Sequence, residues 1–134
     1  MKKTFRLIAL SLVLVVAMMA LASCGKPNTD PAKAKAALEE AGYTATLIDS
    51  GLTLTGASAI YGGNVKAVLT GVKLADKEAV QVIYYEDADS AASAFETVKE
   101  FAEKQNNDEE TKIEIKKSGN MIWFGTKEAI KAAA

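Results

Sequence analysis

Apolar and polar residues change their spacing several times along this chain, and each change marks an expected element. Residues 7–22 are apolar throughout except for Ser11. After a short polar stretch, Ala34, Ala37, Leu38 and Ala41 recur at helical spacing. Asp30-Pro31 supplies an N-cap followed by proline at the first helical position, and Gly42 a left-handed stop, so a helix is predicted over residues 31–41. From Tyr43 to Glu86 the period becomes two and turn residues recur. This pattern predicts a hairpin of residues 44–49 and 52–55 turning at Ser50-Gly51, then strands over 65–74 and 80–85 separated by Asp76-Lys77-Glu78.

The period returns to that of a helix at Ala88. Ala91, Ala94, Phe95, Val98, Phe101 and Ala102 form one apolar face, and Glu96, Lys99, Glu100, Glu103 and Lys104 fall on the other, giving a helix over 88–105. The polar loop 106–110 follows, then strands over 111–117 and 121–125 turning at Ser118-Gly119-Asn120, and a short closing helix capped by Thr126. The predicted fold class is α+β: an antiparallel sheet of five or six strands, two main helices packed on one face, and a short C-terminal helix. Helix followed by hairpin occurs at 30–55 and again at 88–125, as an internal duplication would produce, although residue identity between the halves is poor.

The N-terminal run reads differently from the rest. Lys2, Lys3 and Arg6 precede 16 mostly apolar residues, the order of a secretory signal peptide and shorter than the roughly 18 residues a spanning helix needs. Leu21-Ala22-Ser23-Cys24 closes the run and resembles the lipobox of bacterial lipoproteins at all four positions. The resemblance implies that a diacylglyceryl group is joined to the Cys24 sulfur and that the bond before it is cut. Residues 1–23 are then the signal peptide, 24–29 the lipidated cysteine and a short tether, and 30–134 one α+β domain. More than one acyl chain makes the anchor durable. The expected location is the extracytoplasmic face of the cell membrane.

Composition narrows what the exported part can do. Cleavage leaves 111 residues, within the range of a single domain. The removed segment takes three of the 16 basic residues and none of the 17 acidic ones, leaving 13 against 17 and a net charge of −4. All remaining cations are lysines, so the arginine favoured for bidentate phosphate and guanine contacts is missing and nucleic acid is not an expected partner. With Cys24 lipidated, no second cysteine exists to form a disulfide.

Histidine is absent, which removes histidine-based triads and imidazole metal sites. Carboxylate, Ser-Lys or tyrosine chemistry remains, but no spacing resembles a nucleophile motif, and no catalytic, cofactor or metal residues are assigned. Glu86-Asp87-Ala88-Asp89-Ser90 lacks the alternating oxygen ligands and glycine of a calcium loop; helix capping and the helix dipole account for it. Asp108-Glu109-Glu110 reads as a solvated loop.

Aromatic residues are the candidate partner surface: Tyr61 beside Gly62-Gly63, Tyr84-Tyr85 on one strand, and Trp123-Phe124 on another. Strand neighbours point to opposite faces, so each pair sends one ring to either side of the sheet. Rings on a helix-free face would form a patch suited to a partner; helices or cross-strand packing would instead cover them. The expected function is a lipid-anchored, extracytoplasmic binding or interaction module of the bacterial envelope, held to the membrane by lipid and engaging an envelope protein or a small ligand. The alternative is a small envelope enzyme using carboxylate or Ser-Lys chemistry.

Overall fold

A computed structural model describes residues 26–105 and 113–134. Cys24, the loop carrying Asp108-Glu109-Glu110 and the first two residues of the strand expected from Thr111 lie outside the described residues. The described elements run α1 (Pro31–Glu40), β1 (Thr44–Ile48), α2 (Leu52–Tyr61), β2 (Val65–Lys73), a 3-10 turn (Leu74–Asp76), β3 (Glu78–Tyr85), α3 (Ala88–Gln105), β4 (Glu114–Ser118), β5 (Met121–Gly125) and α4 (Lys127–Ala132). The strands form one antiparallel sheet in the order β1-β2-β3-β5-β4. The α+β class, the five-stranded antiparallel sheet and the short C-terminal helix are as the sequence predicts.

Local signals act where they were read. The Asp30 side chain accepts from the Ala32 amide at 3.0 Å and caps α1, with Pro31 at its first position. Asp87 accepts from the Ser90 amide at 2.7 Å, so the acidic stretch before α3 serves as a cap.

The distribution of helices differs from the expectation. α1 and α4 cover one face, where Leu38 and Ile130 pack with Leu69, Val82, Tyr84 and Trp123. α2 and α3 cover the other, where Tyr61, Ala94 and Val98 pack with Val68, Ile83, Tyr85 and Phe124. The physical reason lies in the central strands. Val82, Ile83, Tyr84 and Tyr85 are buried in succession, and so are all five residues of β5. A strand without polar alternation must be covered on both sides. The two main helices therefore lie on opposite faces, and no face of the sheet is left bare of helix.

Two further expectations are corrected. Residues 52–55 begin a helix instead of the second strand of a hairpin. Gly51 does turn the chain (φ 87°), but Leu54, Ala57, Ser58 and Tyr61 then recur at i, i+3, i+4 and i+7 toward the sheet. The Leu-Thr-Leu-Thr alternation had masked that period. The first helix is consequently followed by a strand and another helix, and the two halves do not repeat. On α3 the core side is Ala91, Ala94, Val98 and Ala102, whereas Phe95 is half-buried at its margin.

Small residues let α1 approach. A methyl group on Gly71 of β2 would lie 2.8 Å from Leu38 Cδ1, and Leu38 has no exposed surface. The glycine leaves the depth that the leucine fills.

The polypeptide before α1 is also part of the fold. Pro27 is fully buried, the Asn28 amide donates to Ala133 O at 2.9 Å, and Tyr84 donates its hydroxyl proton to Asn28 O at 2.7 Å. The segment expected as a tether is thus bolted to the domain from Pro27 onward. Tyr85, its neighbour on the opposite face, has no hydrogen-bond partner for its hydroxyl among the described residues. Tyr84→Phe should therefore cost about 1 kcal/mol in urea denaturation, by leaving Asn28 O without its donor. Tyr85→Phe removes an orphaned polar group instead and should be neutral or stabilising; equal losses for both would contradict the assignment.

Candidate functional site

The five aromatic residues singled out in the sequence do not form a surface. Tyr61, Tyr84, Tyr85, Trp123 and Phe124 are all buried, the most exposed retaining 7% of its surface. Tyr84 and Trp123 lie under α1 and α4, and Tyr61, Tyr85 and Phe124 under α2 and α3. The covering that corrects the one-faced arrangement also removes the aromatic patch.

What the second face offers is a cleft of about 310 Å³. Thr70 of β2, Gln81 of β3 and Phe124 of β5 form its floor, Phe101 of α3 and Ile113 its wall, and Lys77 and Thr126 belong to its rim. Thr70, Gln81 and Phe124 are register partners across three adjacent strands, so one row of the sheet makes the floor. Regular pairing holds that row in place.

Aromatic packing shapes the wall. Phe101 meets Tyr61 edge to face at 5.1 Å and Phe124 at 6.2 Å between ring centroids. Such edge-to-face pairs add roughly 0.5–1.5 kcal/mol beyond the area they bury. Gln81 is positioned in turn: its Nε2 donates to the Tyr61 hydroxyl at 2.8 Å. Burial raises the Tyr61 pKa above its ordinary value and the Gln81 donor partly opposes this, so Tyr61 is a neutral phenol at physiological pH.

The far end of the cleft depends on Gly125. A Cβ there would come within 2.3 Å of the Ala79 carbonyl oxygen, which is backbone and cannot yield. Thr126 then pins the strand end to β3: its amide donates to Ala79 O at 2.9 Å, and its hydroxyl accepts from the Ala79 amide at 3.3 Å. Although it occupies the N-cap of α4, its side chain makes no capping bond to that helix.

The cleft carries little ionisable chemistry among the described residues. Its lining is mainly apolar, with the Gln81 amide and two threonine hydroxyls as polar features and Lys77 as the ionisable side chain among the described residues. Among the described residues of its lining, none pairs a nucleophile with a base. Nor does any group of three or more acidic or thiol side chains among the described residues converge as a metal site would require.

A second hollow, near α4, is polar. Tyr43 donates to Glu78 in a short hydrogen bond, Lys73 pairs with Asp76 at 3.1 Å and lies 5.5 Å from the Tyr43 ring centroid, and Glu128 and Lys131 complete the lining. Lys73 also donates to Ala41 O at 3.4 Å. Lys73, Asp76 and Glu78 thus have partners within the hollow, and exposed pairs of this kind contribute little to stability.

Sequence reasoning missed the cleft because its members come from four elements. One signal was visible: Thr70 and Gln81 are polar positions inside the otherwise apolar runs 67–72 and 79–85. No family model, curated protein or solved structure matches the chain.

All four tyrosines are held above their ordinary pKa of 10.0, chiefly by burial; for Tyr43 the hydrogen-bonded Glu78 adds to it, and Tyr85 is pushed up to about 12. An unfolded chain ionises its tyrosines near 10, while the folded chain keeps these protons. Their contribution is therefore intact below pH 10 and declines as pH rises from about 10 toward 12. Alkaline titration should show tyrosinate absorbance appearing together with loss of structure; tyrosine ionisation near pH 10 in a still-folded protein would contradict this.

Proposed function

We propose that this chain is a lipid-anchored binding module of the bacterial cell envelope, and that the cleft floored by Thr70, Gln81 and Phe124 receives a small, largely apolar ligand bearing a hydrogen-bonding group. The observation that carries the binding part is the cleft itself: concave, mainly apolar, with its one polar floor amide already oriented by Tyr61. Sites for small molecules combine those properties. Its volume suits a small compound and is too narrow for a folded partner. The lining also favours binding over the alternative, an envelope enzyme, since its described residues supply no acid-base or nucleophile pair.

The anchoring part rests on Leu21-Ala22-Ser23-Cys24 behind its charged and apolar segments. No helix among the described residues is long and apolar enough to cross a membrane; the apolar run of residues 7–22 lies outside them. Acylation at Cys24 would hold the domain directly, because only Gly25 and Lys26 separate that residue from buried Pro27.

Two measurements test the proposal separately. Mass spectrometry of the membrane-associated protein should find an acylated N-terminal cysteine, and Cys24→Ser should release or mislocalise the chain. A membrane-bound protein still beginning at Met1 would sink the anchor. For the cleft, Ala79→Trp places an indole at its exposed margin. Binding of the neutral dye N-phenylnaphthylamine should weaken by about tenfold or more, roughly 1.4 kcal/mol, with the melting temperature unchanged. Equal dye binding by both proteins would remove the cleft as the site.

A further inference from the structure

The helix α2 is unlike the other surface helices. From residue 50 to residue 64 the chain carries no charged side chain. Its sheet-facing residues are Leu54, Ala57, Ser58 and Tyr61, and its outer side presents Leu52, Gly56, Ala59 and Ile60 at helical spacing. Leu52 is 90% exposed and Ile60 57%. By contrast, α3 turns Glu96, Lys99, Glu100 and Glu103 to solvent.

Where α2 lies decides what can cover it. The helix enters from the end of β1 at Ile48, opposite Val68, and leaves into the start of β2 at Val65, opposite Tyr85. Both points belong to one end of the sheet. The chain arriving from Cys24 is bolted to that same end, since Asn28 O accepts from Tyr84, which pairs with Ala67. A single residue, Gly25, links Lys26 to Cys24, a reach of at most about 7 Å between their Cα atoms. Leu74, the other strongly exposed leucine at 86%, belongs to the 3-10 turn that follows β2, at the opposite end with Lys77 and the cleft.

The geometry points to α2 as a membrane-contacting helix that lays its uncharged outer side into the lipid interface, with the cleft directed away from the bilayer. This rests on the anchoring proposed above, which sets the membrane beside this end of the sheet. An uncharged surface gains nothing from electrostatic attraction to a charged partner. It loses little on entering the boundary between headgroups and acyl chains, where Leu and Ile side chains are favoured. Acyl chains at Cys24 and a helix inserted nearby would together restrain the domain to one orientation, as two attachments hold what one leaves free to swivel.

The test uses the full chain purified from bacterial membranes and reconstituted into phosphatidylcholine and phosphatidylglycerol vesicles, with or without bromine on the acyl chains. Leu52→Trp and Leu74→Trp each add an exposed indole to the buried Trp123, whose emission is a constant background. Bromolipid should quench most of the added emission from position 52 and leave that from position 74 unchanged. Equal quenching at both positions, or none at 52, would overturn the proposal. So would emission at 52 that is shielded equally in vesicles and in lipid-free buffer at high protein concentration, which would assign the helix to a second copy of the chain. The N-terminal mass of the same sample reports the anchor independently, so failed acylation and failed insertion give different results.

Discussion

The two central strands have no side to give to water. From Val82 to Tyr85 of β3, and along β5, both faces are apolar and buried, with Tyr84 and Trp123 directed one way and Tyr85 and Phe124 the other. Burying large side chains of this kind is worth roughly 1.5–3 kcal/mol each. That gain requires a helical layer on both sides, and most other features of the domain follow from it. The four described α-helices divide evenly between the faces. The approach of α1 is permitted by Gly71, and the chain preceding it is drawn in far enough for Pro27 to be covered.

The same requirement explains why a cleft exists where it does. A short helix, α2, covers β2 near one end of the sheet, while the much longer α3 runs over β5 and β4. Between them, toward the end that holds Gly125 and Thr126, the row of Thr70, Gln81 and Phe124 is only partly roofed. The polar residues in this row suit a floor open to solvent or ligand; a fully enclosed amide would need every one of its hydrogen bonds met within the protein. Tyr61 meets one of them and is a neutral phenol, which suits a site for uncharged molecules.

On the proposed reading, the anchored segment and the cleft are separated along the strands. The N-terminal segment is fixed beside Tyr84, at the end of the sheet where the uncharged α2 is inserted, and the cleft lies near the other end. Lipid attached at Cys24, as proposed, would put the membrane at the first of these ends and the cleft at the other.

The sequence by itself determined those features that depend on neighbouring residues. The Asp30-Pro31 and Asp87 caps, the extents of α1, α3 and β5, and the hairpin turn at Gly119 are written in local spacing and turn chemistry, and the antiparallel pairing of β2 with β3 and of β4 with β5 follows from their short connections. The strength of α3 was also legible, because its charged side is continuous. Other features were decided only by tertiary structure. A period of two and a period of 3.6 both fit the uncharged stretch from Leu52, and packing of Leu54, Ala57 and Tyr61 on the sheet selected the helix. The apolar runs of β3 and β5 implied two covered faces, but which helix took which face depended on the path of the whole chain. The cleft could not be read at all, since it is assembled from Thr70, Gln81, Phe101 and Phe124, residues that spacing along a chain does not relate and only strand register and helix placement bring together.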